Sequence, residues 1–252
     1  MNKVLVIGDS CEDVFVYGNI ERICPEAPVP VFIPTHTTKN PGMAKNVVTN
    51  FNSLGVDADI ITNDNEIKKT RYVDNRSNQM VLRVDEHDRC PRIKRSDIEK
   101  VESYDAIVIS DYCKGFLDED DIDNICSKSK ISFLDTKKRL NGWSLGANFI
   151  KINELEYRKS YEFLERGLGY EEKLIITRGG KGCEYMDEEF PVKEVHVKDV
   201  SGAGDTFMTG LVYEYMNSKN IRKAINFAQK CTALVVQKHG VSAIELNEVE
   251  KE

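Results

Sequence analysis

Asp199-Val200-Ser201-Gly202-Ala203-Gly204-Asp205-Thr206 is the stretch on which the fold turns. Residues 195–200 read as a β-like run into it. Residues 207–216 carry Phe207, Leu211 and Tyr215 at intervals of four, which predicts a helix with one buried face. Strand, glycine-rich turn and helix start together make a phosphate-binding geometry. The first helical turn has unpaired N–H groups and the positive end of the dipole. Gly202 and Gly204 lack a Cβ, so a charged ligand can approach the backbone. Asp205 falls in that first turn. A carboxylate beside a phosphate is unfavourable unless it has a task, and accepting the proton of an attacking hydroxyl during phosphoryl transfer is one. A capped helix start accommodates the same residues, because Asp is common there and Gly is common in turns.

The longer string D-V-S-G-A-G-D-T-F resembles the D-T-x-G-A-G-D signature of the ribokinase-like sugar kinases, the phosphofructokinase-B family. The resemblance implies that Asp205 is the catalytic base and that the backbone of Gly202, Ala203 and Gly204 forms the anion hole.

The chain has 252 residues, 31% charged and 40% hydrophobic, which suits one large soluble α/β domain. Its net charge of −7 argues against general binding to nucleic acid or anionic membranes. Seven scattered cysteines, with no C-x-x-C pair, suggest reduced thiols in a cytoplasmic protein. The N-terminal apolar run is too short for a signal peptide, and no stretch has the length of a membrane span. Gly8-Asp9-Ser10 evokes the GDS-type lipases, but none of the four histidines stands in the D-x-x-H those enzymes need, so that reading is rejected.

Taken in order, residues 4–7 predict a buried strand. Asp13 lies just beyond it, where the family grips sugar hydroxyls with an acidic residue; a solvated loop acid is the alternative. Pro25, Pro28 and Pro30 forbid a helix and suit an extended edge. The string R-I-x-P-E-A-P-V-P-V around them resembles the heptose 7-phosphate kinases, the first half of bifunctional ADP-heptose synthases. A helix is expected from Pro41 to Leu54. Gly42 and Asn46 match the family's G-G-x-x-x-N sugar-binding signature, with Met43 replacing its second glycine. After a strand at 58–62, relatives carry a further helix and strand, whereas only residues 63–69 intervene here. Residues 70–73 and 79–85 then alternate like a hairpin.

Ser110-Asp111-Tyr112-Cys113-Lys114-Gly115 is similar to the heptose kinases' S-D-Y-x-K-G. Lys114 is either a contact for a substrate phosphate or a solvated lysine. Lys137, in Asp135-Thr136-Lys137, is a second candidate for phosphate. Asn153 and Glu156 match the family's N-x-x-E, which supports a Mg²⁺–phosphate network largely through water. An N-capped helix explains the same two residues. Thr177, Gly179 and Gly182 match the family's T-x-G-x-x-G nucleotide loop. Gln229 lies on a helix expected at 221–238, on the adenine side in relatives. Lys238-His239-Gly240 resembles the loop that, with Asp199 and Val200, binds a monovalent cation such as K⁺ in some relatives.

The expectation is a single ribokinase-like α/β domain over residues 1–252. It has a mostly parallel sheet with helices on both faces and a small β lid from about 10–35 and 70–85. The resemblance implies an ATP- and Mg²⁺-dependent sugar kinase acting on the anomeric hydroxyl of a heptose 7-phosphate, paired as a homodimer through the lid. Two alternatives stay open: a same-fold kinase for another sugar or sugar phosphate, and a nucleotide- or sugar-binding protein without turnover.

Overall fold

The computed structural model describes residues 3–165, 169–238 and 240–251. The chain begins with β1 (Val4–Gly8), then β2 (Ser10–Ile23), β3 (Pro30–Met43), α1 (Ala44–Ser53), β4 (Ala58–Ile61), β5 (Lys68–Asp74) and β6 (Met80–Glu86). A short α2 (Arg95–Ile98) leads to β7 (Ala106–Asp111), α3 (Glu119–Lys128), β8 (Ser132–Thr136), β9 (Phe149–Asn153) and α4 (Glu154–Leu164). Next come β10 (Leu174–Thr177), β11 (Cys183–Tyr185), β12 (Glu188–Phe190), α5 (Ala203–Ser218), α6 (Ile221–Val235) and α7 (Leu246–Val249).

The large sheet has the order β12-β11-β10-β9-β8-β7-β1-β4. β4 through β10 in that order run parallel, and β11 and β12 close the far edge antiparallel. A parallel sheet needs cover on both faces, and β1 shows why it has it: all five of its residues are buried. Alternate residues point to opposite faces. Val4 and Val6 join Phe51 of α1, Leu211 of α5 and Ile225 of α6 in one apolar cluster. Leu5 and Ile7 join Ile122 and Ile125 of α3 in the other.

The second sheet has the order β3-β2-β5-β6. β2 and β3 form a long antiparallel ribbon, β2 and β5 run parallel, and β5 and β6 form the expected hairpin. This lid is larger than the sequence suggests. β3 continues through Pro41-Gly42-Met43, so α1 starts at Ala44 and not at Pro41. The ladder to β2 keeps these residues extended, with Met43 opposite Ser10.

Two further differences concern connections. Residues 195–200 form no strand. The amides of Lys198 and Asp199 both donate to the Val236 carbonyl, so the C-terminal end of α6 satisfies them without a neighbouring strand. The short connection after β4 passes directly into β5, and Asn63 pins it. Its Oδ1 accepts from the Ser10 amide at 2.7 Å, and its Nδ2 donates to the carbonyls of Ser10 and Asn65. No helix among the described residues is long and apolar enough to cross a membrane.

Candidate active site

The glycine-rich turn delivers α5 into the crevice between the two sheets. Gly202 has φ +78°, in the left-handed region, and a Cβ there would come within 2.9 Å of Asn46 Nδ2. No side chain among the described residues caps the helix start. The first turn of α5 therefore presents N–H groups without the side-chain acceptor that an ordinary cap supplies. At α4 the opposite holds. Asn153 Oδ1 accepts from the Glu156 amide and Glu156 Oε2 from the Asn153 amide, a complete capping box.

Asp205 is buried in the first turn of α5. Asn46 Nδ2 donates to its Oδ2 at 2.7 Å, and the Tyr112 hydroxyl donates to its Oδ1 at 2.7 Å. Burial pushes its pKa up to about 6; the bonds from Asn46 and Tyr112 hold it from rising further. The same burial, with Asp205 and Asp135 nearby, raises the Tyr112 phenol well above its usual value, so it stays a donor. Tyr112 itself is positioned by Asp9, whose Oδ2 accepts the Tyr112 amide at 2.6 Å.

A lysine network lies beside this turn. Lys151 Nζ meets Asp135 Oδ2 at 2.6 Å, and a Cβ on Gly204 would lie 3.1 Å from the same ammonium. Lys137 Nζ bonds Glu156 Oε1 at 2.7 Å and Asp135 Oδ1 at 3.2 Å. Burial alone would raise the Asp135 carboxyl, but Lys151 and Lys137 outweigh it and hold it below the ordinary range. Both Glu156 oxygens are already bonded, and no group of three or more His, Cys, Asp or Glu among the described residues could hold a metal ion. That donor set fits outer, water-mediated support of a cation on phosphate oxygens.

Thr177, Gly179, Gly182 and Gln229 converge with Lys151, Gly204 and Phe207 around one pocket. Gly182 needs to be glycine: its φ is +88° and a Cβ would clash with the Phe190 carbonyl oxygen at 2.0 Å. Gln229 donates to that carbonyl at 2.8 Å, while its own Oε1 is buried without a partner among the described residues.

On the lid side, Asp13 Oδ1 bonds Arg71 Nη1 at 2.5 Å and its Oδ2 lies against Gly42, where a Cβ would be only 2.4 Å away. Met43 has φ +58°, a conformation that suits the glycine it replaces. Its buried side chain packs with Cys11 and Ile67, with Tyr112 alongside. Lys114 is neither solvated nor free: its Nζ meets Asp88 Oδ2 at 2.5 Å. Asp199 accepts from the amides of Ser201 and Gly240; His239 of the expected cation loop lies outside the described residues.

Asp205, Asn46, the glycine turn and the nucleotide-loop residues thus gather in one crevice. Tyr112 and Lys151 belong to it as well. Neither was singled out in the sequence, although the S-D-Y-x-K-G string contained the tyrosine.

The pattern described as pfkB family carbohydrate kinase matches residues 69–247. The chain belongs to that family. Kinases of the pfkB family are phosphotransferases with a sugar hydroxyl as acceptor, and the strand order and lid of this member fit that assignment. Among curated relatives, a bifunctional protein HldE from Nitratiruptor sp. is 29% identical over 99% of this chain. This pfkB member spans only 64% of that relative's length. The alignment runs over 306 residues, so the relative also has stretches that this chain of 252 lacks. Two solved structures share the fold. The ribokinase of Arabidopsis thaliana complexed with ribose and ATP has a TM-score of 0.73 at 14% identity, covering 99% of this chain and 98% of its own. Phosphofructokinase-2 from Escherichia coli in complex with potassium has a TM-score of 0.76 at 13% identity, covering 100% and 98%.

Proposed function

We propose that this pfkB kinase uses ATP to phosphorylate the anomeric hydroxyl of a heptose 7-phosphate, giving the 1,7-bisphosphate. One observation carries the phosphoryl-transfer half of that reading. A buried carboxylate with its pKa pushed up to about 6 stands in the uncapped first turn of a glycine-led helix. A base poised near neutrality, beside N–H groups that stabilise charge on the transferred group, is what the reaction needs. Asp205 accepts the hydroxyl proton while Asn46 and Tyr112 orient its two oxygens. The backbone of Gly202, Ala203 and Gly204, with Lys151 behind it, receives the phosphoryl oxygens. Asn153, Thr177, Gly179, Gly182 and Gln229 surround the nucleotide, where the unpartnered Gln229 Oε1 suits an exocyclic amine. Glu156 would support, through water, a Mg²⁺ ion, which when bound would neutralise the charge that develops during transfer.

The heptose assignment rests on the R-I-x-P-E-A-P-V-P-V and S-D-Y-x-K-G strings and on the HldE relative, with Asp13, Gly42, Asn46 and Lys114 around the acceptor. Met43 favours a second reading, a kinase of the same fold for another sugar or sugar phosphate, because its side chain fills space that a glycine leaves open. ADP release with Mg²⁺-ATP and heptose 7-phosphate, beside fructose 6-phosphate and ribose, separates the two. Turnover on the heptose alone supports the first reading, and turnover on another acceptor replaces it with the second. ATP binding with no turnover on any of them leaves a binding protein.

Ile33, Met80 and Leu82 expose apolar surface on the lid, which fits a homodimer formed there. A monomeric mass at micromolar concentration overturns that pairing. The turn at Asp199 and Gly240 suits a monovalent cation such as K⁺, and stimulation of turnover by K⁺ over a large organic cation tests it. All seven cysteines are free thiols, in keeping with a cytoplasmic enzyme.

A further inference from the structure

Four basic side chains, Arg71, Arg83, Lys114 and Lys69, cluster where the lid meets the loop after β7, and the first three are matched one to one by carboxylates. Arg71 pairs with Asp13 at 2.5 Å. Arg83 clasps Asp85 through Nε and Nη2, both at 2.6 Å. Lys114 pairs with Asp88 at 2.5 Å. The fourth is Lys69 on β5. It is only 8% exposed, and it forms no ion pair and no hydrogen bond among the described residues. Its Nζ lies 6.0 Å from the centroid of the Tyr112 ring, the phenol that bonds Asp205.

The ladder explains how the cation is left over. Lys69 stands opposite Asp13 on β2 and opposite Asp85 on β6. Each of those carboxylates is taken by an arginine, so the cluster holds four cations and three anions. Burial pushes the Lys69 ammonium below the ordinary lysine range; Lys114 and Arg83 add to the depression, while Cys11 and Asp13 oppose it. An unpaired buried ammonium is costly unless a ligand completes it. ATP is not the natural complement, because the pocket that gathers Thr177, Gly179, Gly182 and Gln229 is lined by Lys151 and not by Lys69.

We propose that Lys69, with Arg83 and Lys114 around it, is the subsite for a phosphomonoester carried by the acceptor away from its reacting hydroxyl. Lys69 then sets the preference for phosphorylated over neutral sugars. The proposal rests on the kinase reading only in placing the acceptor's hydroxyl at Asp205; the other end reaches past the Tyr112 ring to Lys69.

The test compares wild type, Lys69→Gln and Lys69→Arg with heptose 7-phosphate and with the same heptose lacking its phosphate. In Lys69→Gln the KM for heptose 7-phosphate rises roughly ten- to a hundredfold, the range for a charge-assisted hydrogen bond. The KM for ATP and the rates on neutral heptose stay as in wild type, and Lys69→Arg restores most of the loss. An unchanged phosphate preference in Lys69→Gln, or a rise confined to the ATP KM, overturns the proposal. A second arm needs no turnover: calorimetric titration of the three proteins with inorganic phosphate and with fructose 6-phosphate in the absence of ATP. Binding that disappears in Lys69→Gln and returns in Lys69→Arg supports the subsite. Equal binding in wild type and Lys69→Gln, or none in wild type, overturns it. Lys69-dependent binding without ADP release on any acceptor keeps the subsite and defeats the kinase reading.

Discussion

Lys137 and Lys69 both lie against the Tyr112 ring, at 5.4 and 6.0 Å from its centroid. Lys137 is bonded to Asp135 and Glu156, whereas Lys69 forms no ion pair among the described residues. On the β9–α4 side, buried charges are balanced before any ligand arrives, and Lys151 completes that balance. On the lid side the balance is left short by one anion. Fixed, compensated charges give a preorganised surface for a transition state. An uncompensated charge gives selectivity, because only a ligand of the right sign removes its cost.

The sharpest break of this contrast is at the point where the two sides meet. Asp205→Asn keeps both hydrogen-bonding neighbours but cannot accept a proton. Turnover falls roughly 10²–10⁴-fold with the fold retained, measured as ADP release alongside circular dichroism. Near-normal turnover would remove Asp205 from its role. Next in size is a pair of stability measurements. Lys151→Met leaves Asp135 buried with only Lys137 and costs about 3 kcal/mol in urea denaturation. Lys69→Met removes a buried cation that has no ion-pair partner among the described residues, and the melting temperature does not fall. Equal losses in the two variants would erase the distinction between the sides.

The pH dependence follows from Asp205. As a base it works when deprotonated, so kcat/KM falls tenfold per unit as pH drops below about 6 and levels off above it. For stability the sign is opposite. The folded pKa lies above the unfolded one, so the folded state binds more protons between the two values, and the contribution of Asp205 to stability falls as pH rises through about 6. Asp205→Asn removes both effects. The smallest expected change is at Met43. Met43→Gly relieves a left-handed backbone but loses a buried thioether, for a net loss of roughly 1–3 kcal/mol. Its informative readout is the acceptor panel, where a wider pocket relaxes selectivity.

Much of the fold was legible because the parallel sheet writes itself as apolar runs: residues 4–7 and 106–109 are buried on both faces. The expected strand at 195–200 failed because its partner is the Val236 carbonyl at a helix end, a tertiary contact that alternation does not report. The glycine turn and Asp205 were legible as a string. Of the two capped-helix alternatives, one is realised at Asn153 and Glu156 and the other is absent at Gly202, and spacing alone could not separate them. Lys69 was invisible because its meaning lies in what Asp13 and Asp85 already hold, and those pairings arise across strands far apart in sequence.

The Asn63 clamp has a mechanical consequence. β1 and β4 are neighbours in the large sheet, and β2 and β5, which continue them, are neighbours in the lid. Two adjacent strands therefore pass from one sheet into the other, and Asn63 ties them together at the crossing. The lid is not hung on a single hinge. Any rocking bends both crossings together, so motion at the acceptor end is geared to the β1–β4 side of the large sheet.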